Sequence, residues 1–522
     1  MPGVGADPAD FGVERFTVPA VLDLRADQMP DRVMMTIAGT PVTFAQMRDR
    51  SRAAANVLTD AGVRRGDGVA LFCATCPEWV YFWLGAARIG AMSAAVNAAN
   101  KGEFLAHALR LARAKVVVTD TDREASVREI ADRLDTLDCV LPAQDSLMPA
   151  STELAGSSPL EPDEVGVLFF TSGTTGPSKA VATTWEYLFR AAATAASAWE
   201  LGPGEVLWTA MPLFHLSAAP TVLAPMLLGA TSVLAATFHP GRVWDDVRTC
   251  GAVGFVGAGA MVSMLWNQPR DPHDAELPLR FISAAPIGAD VYRGIEERYN
   301  CRVVTMYGLT EAFPIAVKGV ADEGVPGTSG TINPAFEVRI RDAQGADVPT
   351  GQLGEIVCRP RLPHVMSEGY VAAAGSHVEG HPEWFHTGDL GRLDADGNLT
   401  YVDRLKDSLR RRGENVSSVE IESVVTQHHA VAEAAAVGVD SELGEDDILV
   451  IVTLRTAAML DHAELLDFCA DRMPYFCVPR YLEVVDEIPK NVIGRIRKDV
   501  LRARGLQSSA WDREAHGYML IR

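Results

Sequence analysis

A short segment rich in glycine and hydroxyl residues carries the clearest chemistry in this sequence. It follows an apolar run, Val165 to Phe170, that predicts a buried strand. Glycine lets the backbone turn sharply and approach a ligand closely, and successive backbone N–H groups form a concavity that binds anions. The hydroxyls add donors, and Lys179 adds a cation. The segment predicts a polyphosphate cradle, although the Walker pattern GxxxxGK(S/T) is absent. It reads Thr171-Ser172-Gly173-Thr174-Thr175-Gly176-Pro177-Ser178-Lys179.

This segment resembles the phosphate loop of the acyl-adenylate-forming superfamily, which contains acyl-CoA ligases, adenylation domains and luciferases. Further motifs of that superfamily follow in the superfamily's order and span most of the chain, which is therefore identified as a member. They are Tyr307-Gly308-Leu309-Thr310-Glu311, Thr387-Gly388-Asp389, Asp403-Arg404-Leu405-Lys406-Asp407, Arg412-Gly413-Glu414-Asn415-Val416 and Pro489-Lys490-Asn491-Val492-Ile493-Gly494-Arg495.

The resemblance implies a nucleotide site that binds ATP or acyl-AMP together with Mg²⁺. A carboxylate is a poor acyl donor until it is joined to AMP, and joining two anions requires charge neutralisation and positioning. Thr171, Lys179 and the loop residues Ser172, Gly173, Thr174, Thr175 and Gly176 would cradle the phosphates. The other implied contacts are Mg²⁺ at Glu311, the α-phosphate at Thr310, the ribose hydroxyls at Asp389, ribose or phosphate at Arg404, and adenine between Tyr307 and the loop Ala284-Ala285-Pro286.

Two further segments resemble the lining of the family's acyl pocket. Met211-Pro212-Leu213-Phe214-His215-Leu216 implies that His215 contacts the substrate carboxylate or closes the pocket floor. The alternative is an ordinary structural histidine. Val256, Gly257 and Ala258, with Gly308, fall where family members bind the acyl group. Small residues there leave room for a bulky acyl group or allow close packing of a helix on a strand, and the sequence leaves both alternatives open.

In this family a small C-terminal domain rotates between an adenylate-forming and a thioester-forming arrangement. The resemblance places the hinge at Lys406, which is also a predicted catalytic residue. It places Gly413 and Glu414 beside the channel through which the pantetheine arm of coenzyme A enters. A residue without a Cβ keeps such a channel open.

The last motif departs from the family pattern at Arg495. The family has a lysine there, which bridges the substrate carboxylate and the α-phosphate during adenylation and is largely dispensable for thioester formation. Arginine keeps the charge but is longer and forked. We hypothesise weak or absent adenylation, so that the chain mainly converts an acyl-AMP, supplied by a partner ligase, into a thioester. The alternatives are a complete two-step ATP-dependent synthetase and replacement of the lysine by Lys498, which lies at the start of a predicted helix, Lys498 to Arg504.

The segments Asn97 to Leu105 and Arg411 to Val416 most resemble crotonobetaine/carnitine-CoA ligases and fatty-acyl-CoA ligases. Because no Gly-Gly-x-Ser attachment motif is present, a free-standing ligase that uses coenzyme A is favoured. The alternatives are acyl transfer to a separate carrier protein and a non-catalytic adenylate-binding protein. The fold alone does not identify the carboxylic acid.

The composition limits the kinds of partner and the cellular compartment that we expect for this protein. The net charge of −21 argues against nucleic acid or an anionic membrane surface as a partner. No secretory signal is evident, and the apolar stretch Ala218 to Leu228 is too short to span a bilayer. Eight cysteines scattered over 522 residues suggest a reducing compartment, and the lone pair Cys73 and Cys76 lacks further metal ligands. We expect a cytoplasmic enzyme whose oligomeric state is open, with a homodimer as one alternative.

The elements that must position these motifs alternate between apolar strands and amphipathic helices, which predicts an α/β fold with doubly wound sheets. Short strands from Glu337 to Arg359 predict a small β subdomain. We expect an N-terminal domain over residues 1–403, a hinge over 404–407 and a small α+β C-terminal domain over 408–522. A chain of this length is too long for one core.

Overall fold

The computed structural model describes residues 7–147, 151–153, 160–171, 178–372, 377–405, 409–411, 414–416, 418–440, 446–473, 477–491 and 494–518. The chain forms two compact units. Unit 1 comprises Met1–Val338 and Cys358–Phe385, and unit 2 comprises Arg339–Val357 and His386–Arg522. The architecture is α/β with a small α+β part, as predicted. The hinge at 404–407 and the domain boundaries beside it stay predictions, and Lys406 lies outside the described residues.

The helices share the amphipathic or buried patterns that the sequence predicts. They are α1 (Val18–Gln28), α2 (Phe44–Asp60), α3 (Pro77–Arg88), α4 (Gly102–Leu111), α5 (Thr121–Ile130), α6 (Trp185–Trp199), α7 (Ala219–Leu228), α8 (Val243–Cys250), α9 (Gly259–Trp266), α10 (Ala289–Tyr299), α11 (Ser418–Val425), α12 (His462–Ala470) and α13 (Lys498–Arg504).

The strands are short, as is usual for globular proteins. They are β1 (Val33–Ile37), β2 (Thr40–Thr43), β3 (Gly68–Phe72), β4 (Met92–Ala95), β5 (Ala114–Thr119), β6 (Cys139–Pro142), β7 (Val165–Thr171), β8 (Lys179–Thr184), β9 (Val206–Thr209), β10 (Thr231–Leu234), β11 (Gly254–Val256), β12 (Phe281–Ser283), β13 (Arg302–Tyr307), β14 (Ala316–Lys318), β15 (Thr331–Ile332), β16 (Phe336–Arg341), β17 (Gly354–Pro360), β18 (Gly369–Val371), β19 (Val378–Glu379), β20 (Phe385–Leu393), β21 (Leu399–Arg404), β22 (Leu409–Arg411), β23 (Glu414–Val416), β24 (Val431–Asp440), β25 (Asp446–Leu454), β26 (Tyr481–Val484) and β27 (Trp511–Asp512).

One sheet of unit 1 runs in the order β15-β14-β13-β12-β11-β9-β10-β1-β2. The strands from β13 to β1 in that order are parallel, and antiparallel strands lie at both edges. The carboxyl ends of β9, β11 and β12 are level, because Val256 pairs with both Thr209 and Ser283. Parallel strands therefore deliver the segments that follow them to one edge of the sheet.

The second sheet of unit 1 runs in the order β19-β18-β8-β7-β4-β3-β5-β6. Strand β8 turns back antiparallel to β7, so that Thr171 lies opposite Lys179. The predicted phosphate segment is therefore the connection of a hairpin. Cys73 and Cys76 lie between β3 and α3, as expected.

Apolar and aromatic residues form the core of unit 1. Trp83 is fully buried and lies 5.5 Å from Trp79 and 5.3 Å from Trp185, measured between ring centroids. Burying a large apolar side chain contributes roughly 1.5–3 kcal/mol. Helix α6 begins after Thr184, whose Oγ1 accepts a hydrogen bond from Tyr187 N at 3.0 Å and caps the helix. This cap and core fix the direction of α6, which carries Tyr187 toward the site described below.

Unit 2 contains the four-stranded sheet β24-β25-β26-β27 and the hairpin β22-β23. Apolar residues of α11, α12, β24 and β25 form its core, including Ile421, Val450 and Leu465. The segment predicted as a β subdomain, Glu337 to Arg359, contains most of strands β16 and β17, which belong to the four-stranded sheet β16-β17-β20-β21.

Among the described residues, no helix combines the length and the apolar character that a bilayer-spanning segment needs. The apolar stretch that the sequence singles out forms α7, which contains Pro225.

Candidate active site

Four of the predicted site segments lie at the carboxyl ends of neighbouring parallel strands in the nine-stranded sheet. Residues 211–215 follow β9, residues 256–258 end β11 and continue past it, residues 284–286 follow β12, and residues 307–311 end β13 and continue past it. Hydrogen bonds tie the ends together: Gly257 N donates to Ser283 O at 3.0 Å, and Ala284 N donates to Val304 O at 3.1 Å. The predicted adenine and acyl contacts therefore share one edge, where open α/β sheets bind ligands.

The motif after β13 forms a tight turn. Leu309 and Ala312 exchange backbone hydrogen bonds of 2.9 and 3.1 Å, and Ile315 N donates to Tyr307 O at 2.7 Å. A Cβ at Gly308 would lie 2.5 Å from Ala312 O. Glycine is therefore required for this turn to close, a packing reason that stands beside the predicted acyl contact of Gly308.

Glu311 is buried, with 6% of its surface exposed. Its Oε1 accepts a hydrogen bond from the Tyr370 hydroxyl at 2.6 Å, and its backbone oxygen accepts one from Ser367 N at 2.8 Å. A carboxylate is the kind of oxygen ligand that Mg²⁺ prefers. The residue present at this position therefore fits the predicted metal ion.

Thr310 is anchored by the neighbouring helix. The Tyr187 hydroxyl on α6 donates to Thr310 O at 3.1 Å. Burial and then the charge of Glu311 raise the pKa of Tyr187 well above its usual value, so this hydroxyl stays a donor at neutral pH. The backbone of the predicted α-phosphate contact is thus held in place.

The ends of the phosphate segment are described, and its centre is not. Thr171 ends β7 and Lys179 begins β8. His107 on α4 donates from Nε2 to Ser178 O at 2.8 Å and fixes the start of the returning strand. The predicted contacts Ser172, Gly173, Thr174, Thr175 and Gly176 lie outside the described residues.

His215 has the surroundings of a neutral imidazole. Its Nε2 is buried and has no hydrogen-bond partner in the described part of the chain. Its ring lies 4.6 Å from the ring of Phe214, and burial lowers its pKa from 6.5 to about 4. At neutral pH the residue therefore offers a polar contact without a positive charge.

This pKa shift makes stability depend on pH. The unfolded imidazole takes up its proton near pH 6.5 and the folded one only near pH 4, so stability falls as the pH is lowered through that window. The loss amounts to roughly 3 kcal/mol at most. We expect wild type to lose melting temperature relative to His215→Gln between pH 6.5 and 4. Parallel curves for the two proteins would contradict the assignment.

Small residues near the predicted acyl pocket serve close packing. A Cβ at Gly257 would lie 2.7 Å from Cε1 of Phe255, whose buried ring stacks on Trp208 at 5.5 Å. A Cβ at Gly259 would lie 2.1 Å from Pro286 O, so glycine there lets α9 approach the loop after β12. Of the two alternatives that the sequence leaves open, the geometry at Gly257 favours packing.

We therefore expect Gly257→Ala to lower stability by about 1–3 kcal/mol through overpacking against Phe255. Melting temperature and kinetics with a short and a bulky acid check this. The expected result is a lower melting temperature with an unchanged ratio of kcat/KM between the two acids. A selective loss of the bulky acid with an unchanged melting temperature would show instead that Gly257 lines the acyl pocket.

A cavity of about 740 Å³ lies elsewhere in unit 1. Its lining includes Glu337, Arg359, Arg361, Ser367 and His381 and contains none of the predicted site residues. It is therefore distinct from the predicted acyl pocket.

In unit 2, Asp389 and Arg404 form an ion pair, with Arg404 Nε 2.8 Å from Asp389 Oδ1. They lie opposite each other on β20 and β21, and Asp389 is 2% exposed. Thr387 Oγ1 donates to Ile356 O at 2.7 Å and accepts from Asp389 N at 3.1 Å. Gly388 between them has a φ of +66°, in the left-handed region that favours glycine. The three residues of this motif thus form one preorganised corner.

Arg495 lies on a tight turn of unit 2. Asn491 Oδ1 accepts from Arg495 N at 2.9 Å, and Gly494 has a φ of +78°. The guanidinium is exposed and forms no hydrogen bond or ion pair with a described residue. Its charge acts on the hydroxyl of Tyr401. The structure thus presents Arg495 at the surface of its unit.

Lys498, the alternative cation, is engaged within unit 2. Its Nζ lies 2.8 Å from Glu422 Oε1 and donates to Ser418 Oγ, and its side chain is 11% exposed. Ser418 in turn donates to Asp403 Oδ2 through both its amide and its hydroxyl. Lys498 begins α13, as predicted, and serves this buried network.

The predicted coenzyme A contacts are sparsely described. Gly413 lies outside the described residues, and Glu414 is described as part of β23 by its backbone alone. Sequence reasoning missed Tyr187, Tyr370 and His107, which hold predicted site residues. A single sequence does not show that such a polar residue supports a motif, because only the fold brings the residue and the motif together.

Comparisons with known proteins agree with this geometry. Residues 22–371 match the family model described as AMP-binding enzyme, and residues 420–495 match the model described as AMP-binding enzyme C-terminal domain. A crotonobetaine/carnitine–CoA ligase of Salmonella paratyphi B is 31% identical over 483 residues, which cover 88% of this chain and 93% of that protein. The corresponding ligase of Salmonella typhi gives the same identity and coverage.

The fold also matches solved structures. The crystal structure of ATP-bound MatB from Rhodopseudomonas palustris superimposes with a TM-score of 0.83 at 25% identity, covering 93% of this chain and 98% of that one. The anthranilate CoA ligase AuaEII in complex with anthranoyl-AMP gives a TM-score of 0.86 at 22% identity, covering 96% and 99%, which shows the fold. The chain therefore belongs to the AMP-binding enzyme family, within the acyl-CoA ligase branch of the acyl-adenylate-forming superfamily.

Proposed function

We propose that this acyl-CoA ligase mainly performs the thioester-forming half of the family reaction, attack of the coenzyme A thiol on an acyl-AMP. In this proposal adenylation is weak because Arg495 stands where the family has lysine. The acyl-AMP would come from a separate reaction that activates a carboxylic acid with ATP.

The proposal rests on the contacts and exposure of two cations in unit 2, Lys498 and Arg495. Lys498 is mostly covered and pairs with Glu422, so using it for adenylation would leave the Glu422 carboxylate without its cation. Breaking a buried pair in this way costs about 3–5 kcal/mol. Arg495 is exposed and unpaired among the described residues, but its planar fork does not reproduce a compact ammonium. Misplacing one preorganised donor costs roughly 10²–10³ in rate.

The nucleotide site supports binding of an adenylate. Asp389 is proposed to contact the ribose, and Arg404 the ribose or a phosphate. Thr310 is proposed to contact the α-phosphate, and Tyr307 the adenine. Mg²⁺, when held by Glu311, would neutralise phosphate charge during adenylation. Thr171 and Lys179 flank the phosphate segment and would hold the phosphates of ATP. His215, neutral at pH 7, is proposed to orient the acyl carbonyl without binding it as an ion pair.

For the acyl group, the similarity to crotonobetaine/carnitine–CoA ligases makes a short, polar carboxylic acid the first class to test. A panel of synthetic acyl-AMPs, presented with coenzyme A or with phosphopantetheinylated carrier proteins, tests the function. We expect thioester formation with coenzyme A. If the thioester forms only on a carrier protein, the acyl acceptor is that protein and not coenzyme A. Tight acyl-AMP binding without any thioester would identify a non-catalytic adenylate-binding protein.

A further inference from the structure

Tyr370 joins two residues that the sequence assigns to different parts of the nucleotide site. Its hydroxyl donates to Glu311 Oε1 at 2.6 Å, and Lys179 Nζ lies 4.6 Å from the centroid of its ring. A hydrogen bond to an ionised carboxylate is strong and fixes the direction of that carboxylate. A cation over an aromatic face within about 6 Å is attracted to it. One side chain thus contacts both the predicted metal ligand and the lysine of the phosphate segment.

The fold holds Tyr370 rigidly in this place. Strand β18 pairs with β8, which sets Tyr370 opposite Val181, two residues beyond Lys179. His381 contacts the ring edge-on at 5.7 Å and shares a hydrogen bond of 2.8 Å with Ser367 Oγ. Ser367 N also donates to the backbone of Glu311 at 2.8 Å. The ring is therefore fixed on a strand and supported from the side.

We infer that Tyr370 is a positioning residue, which sets Glu311 relative to Lys179 so that one ATP triphosphate reaches both the metal ion and the cation. The inference rests on one part of the proposed function, the assignment of Mg²⁺ to Glu311 and of the ATP phosphates to Lys179. The hydroxyl acts on the metal ligand and the ring on the lysine. Substitutions that remove one or both should therefore have separable effects.

The experiment is calorimetric titration of the full chain with ATP, once with Mg²⁺ and once with EDTA. Tyr370→Phe removes only the hydroxyl, and Tyr370→Leu also removes the ring. Tyr292→Phe is the matched control, because the Tyr292 hydroxyl donates to Val303 O at 3.4 Å and Lys318 Nζ lies 5.5 Å from its ring, away from the site. Melting temperatures are measured for all variants.

We expect Tyr370→Phe to reduce the Mg²⁺-dependent gain in ATP affinity by about 10-fold and to leave the affinity in EDTA unchanged, since partners that orient a metal ligand contribute 10–100-fold to metal affinity. Tyr370→Leu should also weaken ATP binding in EDTA. If wild type shows a Mg²⁺-dependent gain and Tyr370→Phe matches Tyr292→Phe, the positioning role is overturned while the function stands. If wild type binds ATP in neither buffer, the inference is overturned, whereas the proposed thioester formation is tested separately by conversion of acyl-AMP to acyl-CoA.

Discussion

Arg495→Lys should raise the rate of pyrophosphate release from a carboxylic acid and ATP by roughly 10²–10³-fold, because it restores a compact point donor where the family has one. The rate of thioester formation from synthetic acyl-AMP should stay nearly unchanged. Both rates are measured on the same protein preparation. Because the Arg495 side chain is exposed and forms no hydrogen bond or ion pair with a described residue, the substitution should leave folding unaffected.

Arg497→Lys is the matched control for this prediction. Arg497 lies two residues further on, is about half exposed and pairs with Asp499 at 2.6 Å. Arg497→Lys makes the same chemical change just before α13, without a predicted contact with substrate. A similar gain in Arg497→Lys, or a slower pyrophosphate release in Arg495→Lys than in wild type, would contradict the assigned role of Arg495.

The second large effect is expected at Asp389. Asp389→Asn should weaken adenylate binding by roughly 10²-fold or more, since hydrogen bonds to an ionised group contribute about 1.5–3 kcal/mol each. The substitution also leaves the Arg404 guanidinium without its carboxylate at 2.8 Å. A specific readout is the discrimination between ATP and 2′-deoxy-ATP. Wild type should bind the deoxynucleotide more weakly, and Asp389→Asn should bind the two alike.

Asp447→Asn provides the control for breaking a similar ion pair. Asp447 is buried on β25 in the same unit and pairs with Arg480 at 2.8 Å, but it belongs to no nucleotide motif. Its substitution should lower the melting temperature without changing the discrimination between the two nucleotides. If Asp389→Asn keeps the wild-type preference for ATP, the ribose contact is wrong.

Much of the fold could be predicted, because apolar periodicity determines strands and helices that are buried on one side or both. The predicted strand from Val165 to Phe170 is observed as Val165–Thr171, and the predicted helix from Lys498 to Arg504 is observed with those bounds. The strand runs one residue further than predicted, because the ends of elements depend on local hydrogen bonds that periodicity does not encode.

The candidate site likewise has a part that the sequence indicates and a part that only the fold determines. The motifs themselves could be found in the sequence because their spacing is local, as in the turn from Tyr307 to Glu311, and the roles of their residues stay predictions. The residues that hold them could not be assigned, because Tyr370 meets Glu311 only through the pairing of β18 with β8. The ion pair that engages Lys498 likewise could not be predicted, because its partner Glu422 is distant in the sequence. The role of Gly257 required the position of the Phe255 ring.

Comparing the two half-reactions of the unaltered enzyme on one acyl group shows whether adenylation is its weak step. This acyl group is the one whose acyl-AMP forms acyl-CoA fastest among the synthetic acyl-AMPs of the panel. Pyrophosphate release from the matching free acid with ATP and Mg²⁺ is then measured beside acyl-CoA formation from that acyl-AMP. We expect acyl-CoA formation to be faster by about 10²-fold or more. Pyrophosphate release as fast as acyl-CoA formation would contradict it and identify a complete two-step ligase.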